Sequence, residues 1–73
     1  MVQLDHALIF RARGLLTGAN VHRGKELIFV YEQAVLLHNE GSPNHEVYQA
    51  QYEMALRQFV RQTTAQLPDE NSN

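Results

Sequence analysis

Histidine can act as an acid, a base or a metal ligand, and it occurs four times in the 73 residues of this sequence. The positions are His6, His22, His38 and His45. A zinc site needs converging ligands, yet neither the i,i+4 histidine pair nor the His/Glu spacing of the zinc motifs occurs. His38 and His45 flank a short polar break and could approach each other beside Glu40 or Glu46. We expect solvated loop histidines and no metal ligands, although protonation of a partly buried one could tune an interface.

No other residues form a catalytic or cofactor-binding pattern. The chain has no cysteine, and its serines are Ser42, which suits a helix cap, and Ser72 near the C-terminal end. The four glycines, at positions 14, 18, 24 and 41, do not form a phosphate-binding or dinucleotide-binding loop. The sequence therefore predicts a protein without enzymatic activity and without a cofactor.

A group of cations is the strongest charge feature, although the net charge is −2. Its members are Arg11, Arg13, Arg23 and Lys25, and the stretch 11–25 contains no acidic residue. Such a patch could meet phosphate or an acidic protein surface, and solvated charges around a helix end are the commoner alternative. DNA binding is disfavoured by the acidic total, although a two-fold dimer could double the patch on one face.

The segment 25–38 is apolar around most of its circumference if it is helical. One face would carry Leu27, Val30, Tyr31, Ala34 and Leu37, with Ile28 and Val35 to one side and Phe29 and Leu36 roughly opposite. A helix of this kind is stable in water only when most of its sides are covered. We therefore expect the N-terminal helix, a second subunit of a homodimer, or both against this helix, with a different protein partner as the alternative to the homodimer.

A short break separates this segment from a second helix, predicted over 43–66. Gly41 suits the left-handed residue beyond a helix end, and Ser42 with Pro43 suits an N-cap followed by the first helical position. Glu53 and Arg57 are spaced to pair at i,i+4. The expected core stripe contains Tyr48, Tyr52, Ala55, Leu56, Phe59, Thr63 and Leu67, and a smaller apolar strip outside it contains Val47, Met54 and Ala65.

The N-terminal part predicts a shorter helix, over 3–16. Leu4, Leu8, Ala12 and Leu15 form its apolar edge. Phe10 lies off that edge, and we expect it to reach across to a neighbouring helix, with exposure for a partner as the alternative. The residues 17–20 form a turn by composition, with Gly18 available for a positive φ and Asn20 placed to cap the next helix. The residues 68–73 predict a disordered tail after a single domain over 1–67.

The fold class expected from these elements is all-α, with a short N-terminal helix on a long antiparallel helical hairpin that pairs into a dimeric bundle. A chain of this size has a small core, which oligomerisation commonly supplements. The predicted dimer or partner interface is Leu27, Phe29, Val30, Leu36 and Leu37. The residues 1–5 lack the features of a signal peptide, and no apolar run approaches membrane-spanning length, so we expect a cytoplasmic protein.

The stretch Leu15-Leu16-Thr17-Gly18-Ala19-Asn20-Val21, directly before the apolar helix, resembles the YmgB/AriR family of small enterobacterial regulators. The resemblance covers about 15–64 and continues through the leucine-rich helix, the polar break, and the second helix with Ala55-Leu56 and Phe59-Val60. It implies a helical homodimer without enzymatic activity. Such a protein connects to histidine-kinase phosphorelays and changes biofilm and acid-resistance gene expression. Gly18 and Asn20 carry over as structural turn residues only.

Two other families are similar in outline. The regulators just named resemble, in fold, the small nucleoid-associated proteins of the Hha type, which implies a possible transcriptional role. YscE-like co-chaperones of type III secretion needle subunits share the small size, the absence of cysteine and a helical hairpin with a glycine-containing loop. That resemblance implies a soluble complex with a chaperone and an aggregation-prone subunit.

Overall fold

The computed structural model describes residues 4–41 and 43–66, and within these ranges the chain is helical with no strand. The elements are α1 at His6–Gly14, a single 3-10 turn at Gly18–Asn20, α2 at Val21–Asn39 and α3 at His45–Gln66. The all-α class predicted from the sequence is confirmed. Ser42, Leu67 and the predicted tail at 68–73 lie outside the described residues.

Helix α1 is shorter than predicted because its ends are set by local capping and backbone preference. The Asp5 carboxylate Oδ1 accepts a hydrogen bond from the Leu8 N–H at 3.0 Å, which is the usual N-cap arrangement. The helix ends at Gly14, a residue with low helix propensity. Leu15 and Leu16 follow it outside the helix and still pack, half-buried, against the core.

The turns at both ends of α2 use glycine as predicted. Gly18 has φ 55° and Gly41 has φ 86°, so both predictions of a left-handed glycine are confirmed. Helix α2 starts at Val21, four residues before the predicted start at Lys25, and the Asn20 side chain makes no capping hydrogen bond. Pro43 precedes α3 instead of opening it, because α3 begins at His45.

The side of α2 that faces the core matches the predicted one only in part, at Tyr31 and Ala34. Its buried residues are Gly24, Ile28, Tyr31, Ala34 and Val35, whereas Leu27 and Val30 are half-buried and Leu37 is 38% exposed. Ile28 and Val35, which the sequence placed to one side of that face, are also buried and share one core with Leu8, Ile9 and Ala12 of α1. Helix α3 contributes Leu56, Phe59, Val60 and Thr63 to the buried set.

Helix α1 covers one side of the α2–α3 pair with Leu8, Ile9 and Ala12. The predicted contact between Phe10 and a neighbouring helix is wrong, because Phe10 is 79% exposed. Phe10 is two residues from both Leu8 and Ala12, and at 3.6 residues per turn that spacing places it on the opposite side of the helix. The largest side chain of α1 therefore lies on the surface.

Helices α2 and α3 approach each other closely at Gly24. A Cβ atom at this position would lie 2.9 Å from Cζ of Phe59 and closer still to a methyl group of Leu16. Phe59 is 1% exposed and is one of the largest fully buried side chains. Gly24 is thus a packing residue where three segments meet, a role that the sequence analysis did not predict.

Candidate interaction surface

A group of polar side chains fixes α1 against the other two helices. Besides capping α1, Asp5 accepts a hydrogen bond from Nη2 of Arg57 on α3, at 2.9 Å from Oδ2. The Asp5 N–H donates to the hydroxyl of Tyr31 at 3.4 Å, and that hydroxyl donates to Oε2 of Glu53 at 3.2 Å. Arg57 also pairs with Glu53 at 3.5 Å, which confirms the predicted i,i+4 pair. Sequence reasoning missed Asp5, although an aspartate just before a helical apolar pattern is a recognised cap signal.

Burial raises the pKa of Tyr31 above its ordinary value of 10.0, and this is the largest effect on it. The hydrogen bond from the Asp5 N–H lowers the pKa, whereas the hydrogen bond and negative charge of Glu53 raise it further. The folded protein therefore holds the neutral hydroxyl more strongly than the unfolded chain does. This stabilising contribution is complete below about pH 10 and is lost as the pH rises through the folded-state pKa.

Replacement of this hydroxyl gives the first testable prediction. Tyr31→Phe should lower the free energy of unfolding by about 1 kcal/mol at neutral pH, because two hydrogen bonds in a buried setting are removed. It should also remove part of the decline in stability above about pH 10. Urea denaturation at neutral and alkaline pH measures both effects. Tyr48→Phe, at an exposed position on α3, is the matched control. Equal effects of the two substitutions on stability would contradict the proposed role of the Tyr31 hydroxyl.

The side of the α2–α3 pair that α1 leaves uncovered is apolar and has no charged residue at its centre. Val30 is two residues from Glu32, which pairs with Arg13 of α1, so Val30 lies on the opposite side of α2. By the same spacing, Ala55 lies opposite the residues of α3 that contact α1. We call this surface the neutral face, and its residues are Leu27, Val30, Leu37, Tyr48 and Ala55.

Aromatic packing extends the neutral face along α3. The Tyr48 and Tyr52 rings stack with centroids 6.4 Å apart, and Tyr48 remains 42% exposed. Among the described residues, helical spacing places Arg23 and Glu26 at the margin near the start of α2, four residues before Leu27 and Val30 respectively. The sequence pattern indicated this face only in part, because it placed Tyr48 in the core.

The five predicted interface residues divide between two surfaces. Leu27, Val30 and Leu37 belong to the neutral face. Phe29, which is 60% exposed, and Leu36, seven residues later, lie on the outer side of α2. Both surfaces are uncovered in the chain, so the interface predicted from the sequence stays a prediction.

Helical geometry also separates the four predicted cations, all of which are exposed. Arg11 and Arg13 are two residues apart on α1, as are Arg23 and Lys25 on α2, so the members of each pair project from different sides of their helix. Arg13 is engaged by Glu32, with Nη2 and Oε2 2.8 Å apart. The four side chains therefore do not form one continuous patch.

The imidazole rings of His38 and His45 meet edge to face with centroids 4.0 Å apart, and both residues are half-buried. This approach was the alternative to the solvated loop histidines that the sequence predicted. His45 Nε2 lies 3.9 Å from a carboxylate oxygen of Glu46. Among residues 4–41 and 43–66, no group of three or more histidine or acidic side chains is arranged to hold a metal ion.

The smaller apolar strip predicted on the second helix lies on the outer side of α3. Its residues, Val47, Met54 and Ala65, are all exposed.

Comparison of the chain with protein-family models, curated proteins and solved structures found no match. In the described part of the chain, no helix combines the length and the apolar character that crossing a bilayer requires. The site must therefore be interpreted from its own geometry.

Proposed function

We propose that this protein is a small, non-enzymatic cytoplasmic regulator that acts through protein–protein contacts as a homodimer. In this proposal α2 and α3 form an antiparallel hairpin, and two copies pair through the neutral face into a helical bundle. The observation that carries the proposal is the apolar, centrally uncharged side of the α2–α3 pair. Contacts of α2 with α3 at Tyr31–Glu53 and His38–His45 support the hairpin.

The charge pattern favours self-association on this side. A two-fold interface brings each residue near its own copy or near that copy's neighbours, so a central charge would meet a like charge. The neutral face avoids that repulsion. Its centre offers aliphatic and tyrosine side chains, and at one margin Arg23 and Glu26 have opposite signs. Aromatic and aliphatic groups surrounded by polar residues are typical of the centre of a stable interface.

The resemblance to the YmgB/AriR family supports a connector role in phosphorelay signalling, with biofilm formation and acid resistance as the outputs. A YscE-like co-chaperone would use the same apolar side to hold a different protein. An Hha-like transcription modulator would instead show salt-sensitive retention of DNA.

Light scattering over a dilution series tests the assembly. We expect a dimer of about twice the 8.4 kDa chain mass at micromolar concentration. A monomer over the whole series would contradict the homodimer and favour the co-chaperone function. DNA retention that decreases with salt would favour the transcription modulator.

The regulatory role is tested by deleting the gene and measuring biofilm mass and survival after acid shock. Both should change, and the wild-type gene should restore them. An unchanged phenotype in both assays would contradict the connector proposal even if the protein is a dimer.

A further inference from the structure

We propose that the outer surface of α1, centred on Phe10, binds an acidic amphipathic helix of a partner protein. The inference rests on the proposed function, because it names the kind of contact through which the regulator would act. It concerns a surface separate from the neutral face, so the two contacts can form at the same time.

Phe10 is suited to be the central contact of this surface. It is 79% exposed, the largest value among the exposed large hydrophobic side chains in the described residues. It forms a shallow depression on the helix surface together with His6, Ala7, Ile9 and Arg13. Ala7 and Gly14, three residues before and four after Phe10, are small and would let a second helix approach closely. Aromatic side chains, phenylalanine among them, are enriched at the buried core of protein interfaces.

The charges around Phe10 select the partner. Helix α1 contains no acidic residue, and it exposes Arg11 and Arg13. The acids that face α1 are already engaged: Asp5 and Glu53 by Arg57, and Glu32 by Arg13. A guanidinium carries five N–H donors, so Arg13, with its side chain 54% exposed, can bind a partner carboxylate while it keeps its contact with Glu32. An acidic segment therefore complements this surface, whereas a basic one would be repelled.

Membranes and nucleic acid fit this surface less well than a protein helix does. The long apolar edge of α1, at Leu8, Ile9 and Ala12, is buried in the core, so Phe10 is left as the one large apolar side chain of α1 that could enter a bilayer. Interfacial membrane helices bind in proportion to the apolar area that they insert.

A DNA duplex would place its phosphates against the apolar ring of Phe10. DNA-binding surfaces gain their affinity from cationic side chains instead.

The test uses the full chain and a fluorescent synthetic peptide of about five helical turns, with leucine on one face and glutamate along its flanks. A matched peptide carries lysine in place of each glutamate. Fluorescence anisotropy should show at least about ten-fold tighter binding of the glutamate peptide. Phe10→Ser should weaken that binding about ten-fold, because the buried aromatic contact is lost. Arg11→Glu should weaken it about three-fold or more at low salt.

Met54→Ser is the matched control, since Met54 is 71% exposed on α3 and lies outside the proposed surface. It should leave the affinity unchanged. The proposal is overturned if neither peptide binds, if both bind equally, or if Phe10→Ser has no effect. Tighter binding to anionic phosphatidylglycerol vesicles or to a short DNA duplex would also overturn it. Light scattering on the same samples distinguishes the peptide-binding proposal from the homodimer proposal. The Phe10→Ser variant should remain dimeric. A wild-type protein that is monomeric and still binds the peptide would contradict only the homodimer.

Discussion

Gly24→Val is expected to lower the free energy of unfolding by about 3 kcal/mol, the upper part of the usual range for overpacking a core. A domain of this size has a total stability of about 4–11 kcal/mol, so the substitution would remove a large fraction of it. The cost arises because the new side chain must enter the space held by Leu16 and by the buried ring of Phe59. Leu16 can move its terminal methyl groups, but Phe59 is enclosed on all sides. The small gain in helix propensity over glycine does not offset that clash.

Chemical denaturation monitored by circular dichroism measures this effect, and Gly14→Val is the matched control. Gly14 is also helical, but a Cβ atom placed there would meet nothing within 4 Å. The control should change stability by no more than about 0.5 kcal/mol. Equal losses at the two positions would mean that the contact of α2 with Leu16 and Phe59 does not decide the outcome.

Val30→Glu is expected to separate the proposed dimer while leaving the monomer folded. Val30 lies near the middle of the neutral face, and its replacement would introduce two carboxylates into an apolar interface. The repulsion and desolvation should raise the dimer dissociation constant at least about 100-fold, equivalent to nearly 3 kcal/mol. Because Val30 is only half-buried in the chain itself, the helical content should persist. Sedimentation equilibrium and circular dichroism on the same preparation test both statements.

Phe29→Glu provides the control for this experiment. It makes a similar change one residue earlier, at a more exposed site on the outer side of α2. The Phe29 variant should remain dimeric. If Phe29→Glu dissociates the dimer and Val30→Glu does not, the subunits meet through the outer side of α2, and the neutral face is the wrong surface.

Local chemistry was the part of the fold that sequence reasoning predicted well. The left-handed glycines at 18 and 41 followed from the restricted φ of other residues, and the Glu53–Arg57 pair followed from helical spacing. These features depend on only a few neighbouring residues. The all-α class followed from the apolar periodicity.

The features that depend on where α1 docks could not be predicted from the sequence. Periodicity gave α2 an apolar circumference with several equivalent faces, and the packing of α1 and α3 together decides that Ile28 and Val35 are buried. The exposure of Phe10 follows from the same choice, because Leu8 and Ala12 occupy the side of α1 that meets the core. Gly24 shows the same limit, since its role depends on Leu16 and on Phe59, which is distant in sequence.

The two oxygens of the Asp5 carboxylate hold both the start of α1 and its docked position. One oxygen caps the first turn, and the other accepts a hydrogen bond from Arg57 of α3. A nine-residue helix is barely populated on its own. The unfavourable free energy of nucleating a helix exceeds the stabilisation from so few backbone hydrogen bonds. Folding of α1 and its attachment to the rest of the molecule are therefore a single equilibrium. Any molecule that binds α1 as a helix would shift that equilibrium, and the protection of its backbone amides would rise with occupancy.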